Sequence, residues 1–336
     1  MIDSGKAAAV TGANGFIGAH LCSYLLQQGY FVRALVHSGH RDSNSSLDGS
    51  VAGNKAGTEV VIADICAADS LRSVFDGVDT VFHLAGVAHV GGDDYRSMQQ
   101  LNVEGTSNVL RAAMASGVRR LVFFSSSLAR AAESGSGDIT DYGRSKLEAE
   151  RLLLAAHRSG DIEVVVLRPV NVYGVEMKGN IRAMIAMIAR RRLPPLPRLE
   201  NSLSLVGVDD LVKAAVLAAQ SRDAGGKTYY VTDGKSYSIT EIEQAIYQRL
   251  GRKLPRWRSP RVLLYAASAL AGVLGKITHS GSGISIRTYH NLTRGNSFSN
   301  QEIESDLGFA PAVNLYDELP GIVASITGKK FEKNVE

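Results

Sequence analysis

"AVTGANGFIGAHL", residues 9–21, sets Gly12, Gly15 and Gly18 between an apolar run and the opening of an amphipathic helix. Glycine at every third position has a physical use here: it permits a tight strand-to-helix turn and lets a ligand come against bare backbone. The helix that opens there aims its unpaired N–H groups and the positive end of its dipole at the turn, an arrangement suited to a pyrophosphate. A glycine turn by itself serves equally well for close helix–strand packing. Its weight comes from its surroundings.

The first strand, "KAAAVTG", is followed by β-rich apolar runs at 31–37, 58–64, 80–86, 120–127 and 162–169, with helical patterns at 16–28, 67–75, 95–116 and 142–159 between them. Near-continuous Val, Ile, Leu and Phe runs belong to strands buried on both faces. Their alternation with helices predicts an α/β, doubly wound parallel (Rossmann) sheet, whose ligands lie at the carboxyl ends of the strands. Past about residue 175 the rhythm changes to helical stretches at 179–192, 208–221, 239–250 and 260–276, mixed with short extended pieces such as "KTYYVT" (227–232). The expected organisation is a dinucleotide-binding domain over 1–174, with elements returning from about 203–232, and a smaller, mostly helical substrate lobe over 175–336. The polar, Gly- and Ser-rich stretch 37–57 reads as a surface loop.

Composition narrows the class. A chain of 336 residues with 45% hydrophobic content can bury a core of this size. The net charge is +4, and the basic residues are scattered apart from "ARRRLP" (189–194), which argues against a nucleic-acid partner. Cys22 and Cys66 lack metal-ligand spacing and read as buried thiols of a reducing compartment, so no metal is expected. The longest apolar run, 262–275, falls short of the ~20 residues needed to cross a bilayer and reads as a buried helix. With no secretory signal at the N-terminus, a cytoplasmic protein without a transmembrane segment is expected.

Two further patterns carry chemistry. In "DYGRSKLEAE" (141–150), Tyr142 and Lys146 stand four apart on one helix face, about 5–6 Å from each other. A phenol of pKa near ~10 trades protons poorly at neutral pH, and a neighbouring ammonium is expected to lower it, making Tyr142 a usable acid or base. In "FFSSS" (123–127) the serines stand at the carboxyl end of the fifth strand, where a hydroxyl can hold a reacting oxygen against Tyr142. Singly these are a helix surface pair and a strand end. In this order after the glycine turn they are poorly explained as coincidence.

The segments "TGANGFIG", "ADI" (63–65), "FHLAG" (82–86), "NVEGTSNVL" (102–110), "FFSSS", "YGRSK", "LRPVNVYG" (167–174), "GVDDL" (207–211) and "LGFAP" (307–311) together resemble the extended short-chain dehydrogenase/reductases, in their nucleotide-sugar epimerase/dehydratase branch. The resemblance implies that Gly12, Gly15 and Gly18, with Phe16 and Ile17, cradle the pyrophosphate of NAD(P). It sets Asp64 and Ile65 against the adenine, Leu84, Ala85 and Gly86 beside the ribose, and Pro169 and Val170 at the nicotinamide. Tyr142 becomes the acid/base, Lys146 the holder of the nicotinamide ribose, and Ser127, or alternatively Ser126, the catalytic serine. Asn171, Gly179 and Asn180 would face the nucleotide sugar.

The stretch 178–211 is similar to enzymes that make deoxy-amino sugars for bacterial surface polysaccharide, such as lipopolysaccharide O-antigen. It implies C4-keto reduction of a UDP-4-keto-6-deoxy-N-acetylhexosamine. The alternatives are a UDP-sugar 4-epimerase with retained NAD, a small-molecule ketone reductase, and a non-catalytic dinucleotide-binding module, against which the presence of both Tyr142 and Lys146 speaks. Two departures stand out. "LARAAESG" (128–135) replaces the family's usual segment after the serines, and Leu203 stands where the family carries a phosphate-binding Arg, leaving that task to Arg198 or Arg294. After the second strand, His37, Arg41 and Arg33 make a basic setting ahead of the first acid, Asp42, which leans towards NADP(H) over NAD(H). Family members commonly form homodimers through the helices at 95–116 and 142–159.

Overall fold

Each apolar run becomes a strand of one parallel sheet. In a computed structural model the described residues are 6–37, 57–88, 95–199, 201–262 and 295–328. The expected loop over 38–56, Arg41, Arg294 and residues 263–276 of the expected apolar helix lie outside them. The strands are β1 (Ala7–Thr11), β2 (Phe31–Val36), β3 (Thr58–Ile62), β4 (Thr80–His83), β5 (Arg120–Phe124), β6 (Glu163–Pro169), β7 (Asn171–Tyr173), β8 (Leu203–Gly207), β9 (Thr228–Val231) and β10 (Ser236–Tyr237). The helices are α1 (Phe16–Gln27), α2 (Tyr95–Gln99), α3 (Gly105–Ala115), α4 (Ala129–Ser134), α5 (Asp141–Arg158), α6 (Asn180–Ala189), α7 (Val208–Gln220), α8 (Ile239–Arg249), α9 (Gln301–Leu307) and α10 (Leu315–Thr327).

The chain divides into two units. The first comprises residues 1–170, 208–231 and 300–310. Its sheet has the order β3-β2-β1-β4-β5-β6-β9 with every neighbouring pair parallel, the strand order of a doubly wound fold. The central strands β5 and β6 are buried on both faces: Leu121, Phe123, Val164 and Val166 join one cluster with Val109, Ala113, Ala149 and Leu153 of α3 and α5, whereas the edge strand β3 leaves Val60 and Ile62 exposed. The intervening Val122 and Val165, equally buried, face the other side, as the two-residue period of a strand requires. Cys22 is buried in α1, and burial pushes its thiol up to about 12. Cys66 is only partly covered, so the expectation of two core thiols holds for one of them.

Arg120 opens β5 almost fully buried, yet carries a guanidinium. Its Nη1 donates to the carbonyls of Ala218, Ala219 and Ser221 at 2.9, 2.9 and 2.5 Å, closing the last turn of α7. Nε and Nη2 donate to Glu163 at 2.9 and 2.7 Å. Helix-terminal carbonyls that lose such a partner inside a protein are left desolvated and unpaired. Arg120→Met is therefore expected to lower stability by about 1–3 kcal/mol, the range for leaving a buried acceptor unpaired. A urea denaturation midpoint equal to wild type would contradict this role.

The second unit comprises residues 171–207, 232–299 and 311–336. β8 pairs in parallel with β7 and antiparallel with β10. This pairing puts the boundary at 170 rather than 174, and β8 in the second unit rather than among the elements that return to the first. α6, α8 and α10 pack against one another. Capping boxes start two of them, Ser238 with Glu241 for α8 and Asn314 with Asp317 for α10.

Two helical patterns were shortened by their surroundings. The stretch 67–75 forms one 3₁₀ turn, Ala68–Leu71, and Ser73 at φ 60° ends any continuation while Leu71 and Phe75 are still buried. The stretch 95–116 is interrupted by a π-helical turn, Gln100–Glu104, that carries the buried Asn102.

Candidate active site

The glycine turn closes as its spacing requires. Gly12 sits at φ 69°, and a Cβ there would lie 2.9 Å from the backbone N of Ala85. A Cβ on Gly18 would lie 2.2 Å from the carbonyl oxygen of Gly12. Gly15 caps α1 without a side-chain hydrogen bond, and no acidic residue stands in the first turn, which Phe16 and Ile17 open. The uncapped N–H groups and the bare backbone of this turn fit a dinucleotide pyrophosphate.

Every cofactor position expected from the sequence lies in the first unit: Tyr142 and Lys146 on α5, and the others at the carboxyl end of a strand or where the turn after β1 opens α1. His37 follows β2 and Asp64 follows β3, and His37 Nε2 lies 3.8 Å from an Asp64 carboxylate oxygen. Asp64 is held in place: its other oxygen accepts from Cys66 N at 2.9 Å, and Ser70 Oγ bonds its backbone at 2.6 and 3.0 Å. Ile65 is buried with its side chain towards Gly105, where a Cβ would lie 2.8 Å from Ile65 Cδ1, so only its backbone is left to meet a ligand. Arg33 is committed elsewhere: it donates to Glu59 at 2.7 Å and to the carbonyls of Val74 and Asp76 at 2.8 and 2.9 Å. That removes one of the cations on which the NADP(H) expectation rested.

The segment after β4 is fixed by a relay the sequence did not show. Thr11 Oγ1 accepts from Leu84 N and Ala85 N, both at 3.1 Å, and bonds His83 Nδ1 at 2.7 Å. His83 Nε2 in turn bonds Thr106 Oγ1 at 2.9 Å, which donates to the Asn102 carbonyl at 2.7 Å. With both Thr11 lone pairs taken, its proton goes to Nδ1 and the ring proton sits on Nε2. Burial pushes His83 down to about 3, with Lys146 adding to the effect, so the ring is neutral. Gly86 reaches the lysine: a Cβ on it would lie 3.4 Å from Lys146 Nζ.

α5 begins at Thr140, whose Oγ1 accepts from Gly143 N at 2.9 Å, and carries Tyr142 partly exposed and Lys146 buried. Lys146 Nζ donates to the Phe124 carbonyl at 2.9 Å and lies 4.6 Å from the Phe123 ring centroid. Ser126 is the serine whose hydroxyl stands near enough to the Tyr142 phenol to favour its ionised form. Ser127 is buried, and its N–H donates to Pro169 at 3.0 Å. The alternative serine is thus the one near the phenol, because Ser127 follows the turn towards the end of β6. Val170, also buried, donates to Val231 at 3.4 Å.

Burial pushes the Tyr142 phenol up to about 12 and the Ser126 hydroxyl works against it. This is the reverse of the expected lowering by Lys146, whose ammonium is directed at a carbonyl and stands 6.0 Å from the ring centroid. Burial also pulls Lys146 down to about 8, with Glu150 opposing.

The expected substrate residues belong to the second unit. Asn171 starts β7 and is exposed, Gly179 precedes α6 at φ 101°, Asn180 is the first residue of α6, and Arg198 is exposed. Leu203 is buried in β8 opposite Tyr237, as a core residue. Among the described residues no group of three or more His, Cys, Asp or Glu is placed to hold a metal, and no helix is long and apolar enough to cross a membrane.

Comparison with known proteins agrees with this geometry. The chain is 28% identical over 272 residues to a UDP-glucose 4-epimerase of Vibrio cholerae, covering 76% of this chain and 78% of that protein. It is 28% identical over 271 residues to a 3β-hydroxysteroid dehydrogenase/Δ5→4-isomerase of Mycobacterium tuberculosis, covering 74% and 70%. The crystal structure of the Bordetella bronchiseptica enzyme WbmG in complex with NAD and UDP superposes with a TM-score of 0.72 at 20% identity, covering 95% of this chain and 94% of that one, a likeness of fold. Residues 8–232, carrying the glycine turn, the serines and the Tyr142–Lys146 pair, match the model of the NAD dependent epimerase/dehydratase family, and the chain is an enzyme of that family.

Proposed function

We propose that this enzyme performs oxidation–reduction at a sugar carbon of a UDP-sugar, and that its reaction is reduction of the C4 ketone of a UDP-4-keto-6-deoxy-N-acetylhexosamine for bacterial surface polysaccharide. The observation that carries the reading is the Tyr142 phenol, with Ser126 near it and one helical turn from the buried Lys146, beside a glycine turn built for a pyrophosphate. When bound, the nicotinamide supplies the hydride chemistry. The chain's part is the proton: Tyr142 gives it to the oxygen of the forming alcohol, Ser126 with Ser127 steadies that oxygen, and the Lys146 ammonium stabilises the phenolate left behind.

The remaining roles are holding and orienting. Gly12, Gly15, Phe16, Ile17 and Gly18 cradle the pyrophosphate, His37, Asp64 and Ile65 the adenine end, and Leu84, Ala85 and Gly86 the ribose. Pro169 and Val170 wall the nicotinamide, and Asn171, Gly179, Asn180, Arg198 and Arg294 take the nucleotide sugar. With Arg33 held by Glu59, the reading favours NAD(H) over NADP(H). It places the enzyme in the cytoplasm as a homodimer.

A UDP-sugar 4-epimerase is supported equally by the Vibrio relative. A small-molecule ketone or steroid substrate is supported by the mycobacterial relative and by the buried Leu203, which leaves the family's phosphate-binding position apolar. One experiment separates them. Reductase activity is expected as NADH consumption with a UDP-4-keto-6-deoxy-hexosamine only. Interconversion of UDP-glucose or UDP-N-acetylglucosamine with its C4 epimer, without added reductant, would establish the epimerase, and turnover of a steroid alcohol alone would overturn both.

A further inference from the structure

The reaction uses Tyr142, Lys146 and the serine turn, and leaves Glu150, a carboxylate 2% exposed on the same helix, without a task. Tyr142, Lys146 and Glu150 recur every four residues along one stripe of α5. Two of them grip the same short piece of chain, Lys146 at the carbonyl of Phe124 and Glu150 at the hydroxyl of Ser125, and Tyr142 stands near Ser126. Glu150 also accepts from Arg168 of β6, from Nε at 2.9 Å and from Nη2 at 2.5 Å. Arg168 Nη1 continues to Glu133 of α4 at 2.7 Å and to the Tyr230 hydroxyl at 2.9 Å. One carboxylate therefore joins α5, the end of β5 and β6 and, through a guanidinium, the helix that follows the serines.

We propose that Glu150 is a positioning residue for this same site, locking the Tyr142–Lys146 face of α5 to the serine turn and balancing the Lys146 ammonium; the inference rests on the reading under Proposed function. The groups facing Lys146 leave this role to Glu150. From β4 comes the neutral His83, from β5 the Phe124 carbonyl and Phe123 ring, and from the π-helical turn the uncharged Asn102 amide. Tyr142 on its own helix is a neutral phenol, and the Arg168 charge on β6 is met by Glu150 and Glu133. Glu150 is the carboxylate that favours the charged lysine against burial. An interaction between buried charges is screened less than one in water, so its loss shifts the lysine. A neutral Lys146 could not support the phenolate that forms as Tyr142 gives up its proton.

The test uses Glu150→Gln and Glu150→Asp in the full chain. In E150Q the Lys146 titration, followed by NMR of [ε-¹³C]lysine-labelled protein, is expected to fall by about one pH unit or more. The alkaline limb of kcat/KM should move down with it, while kcat at neutral pH drops about 10–100-fold and KM stays within about threefold. E150D, which keeps the charge, should restore the titration near the wild-type pH. A lysine that titrates in E150Q as in wild type would overturn the proposal. Lack of turnover of any UDP-sugar by the wild type would instead sink the functional reading, and the titration would still judge Glu150. Should E150Q not fold, Ser125→Ala removes one tether without touching the charge. A kcat lowered about tenfold with an unmoved pH limb is then expected, and an unchanged kcat would overturn the proposal.

Discussion

Tyr142→Phe lowers kcat by about 10²–10⁴-fold and leaves NAD(H) affinity within about twofold of wild type, if the phenol is the proton donor. The substitution removes one oxygen and keeps the ring, so it tests the proton and little else. The ring stays partly exposed above the Lys146 turn, and the glycine turn is untouched. Steady-state turnover with NADH, alongside coenzyme binding by fluorescence quenching, separates chemistry from binding. Retention of more than about a tenth of the wild-type kcat would remove Tyr142 from the proton transfer.

Gly18→Ala strikes the other half of the site. The new methyl would meet the Gly12 carbonyl oxygen at 2.2 Å and Ala13 Cα at 2.9 Å, both main chain, so nothing flexible can yield. Either α1 shifts away or the turn after β1 opens, and both misplace the N–H groups that would meet the pyrophosphate. NAD(H) affinity is expected to fall at least about 100-fold, or ~2.7 kcal/mol. The rise in Tm that the coenzyme confers on wild type should vanish with it. Gly29→Ala is the control: Gly29 sits at φ 78° with nothing within 4 Å of an added Cβ. It should cost stability through backbone strain, about 1–2 kcal/mol, and leave coenzyme affinity alone. Equal coenzyme affinity in G18A and wild type would refute the glycine turn as the pyrophosphate cradle.

The parallel sheet was legible because its signal is local. Runs such as "RLVFF" and "EVVVLRP" are apolar at both parities, and only a strand covered on two faces uses such a pattern. The glycine turn and the Tyr142–Lys146 pair were legible for the same reason, since their spacing alone fixes their geometry. What escaped depends on partners distant in sequence. That Arg33 is held by Glu59 and the Val74 and Asp76 carbonyls follows from strand order and the 3₁₀ turn, not from its neighbours in the chain. The nearness of Ser126 to Tyr142 requires the path of the turn after β5, and the direction of the Tyr142 shift requires its burial. Nothing beside Glu150 in the sequence marks it, because its partner Arg168 stands 18 residues on, in β6. The helices α9 and α10 went unread, although the capping box at Asn314 announces the second.

The nucleotide-binding unit is not contiguous in the chain: after residue 170 it resumes at 208–231 and again at 300–310. Its edge strand β9 arrives in the second piece, and α9 in the third, where Asp306 bonds Lys227 at 2.6 Å and the Tyr229 hydroxyl at 2.9 Å. On the ribosome, then, β6 emerges long before the strand that pairs with its free side. Sheet closure must await β9 at Thr228–Val231, and during that interval a growing chain presents an unpaired apolar strand of the kind chaperones shield.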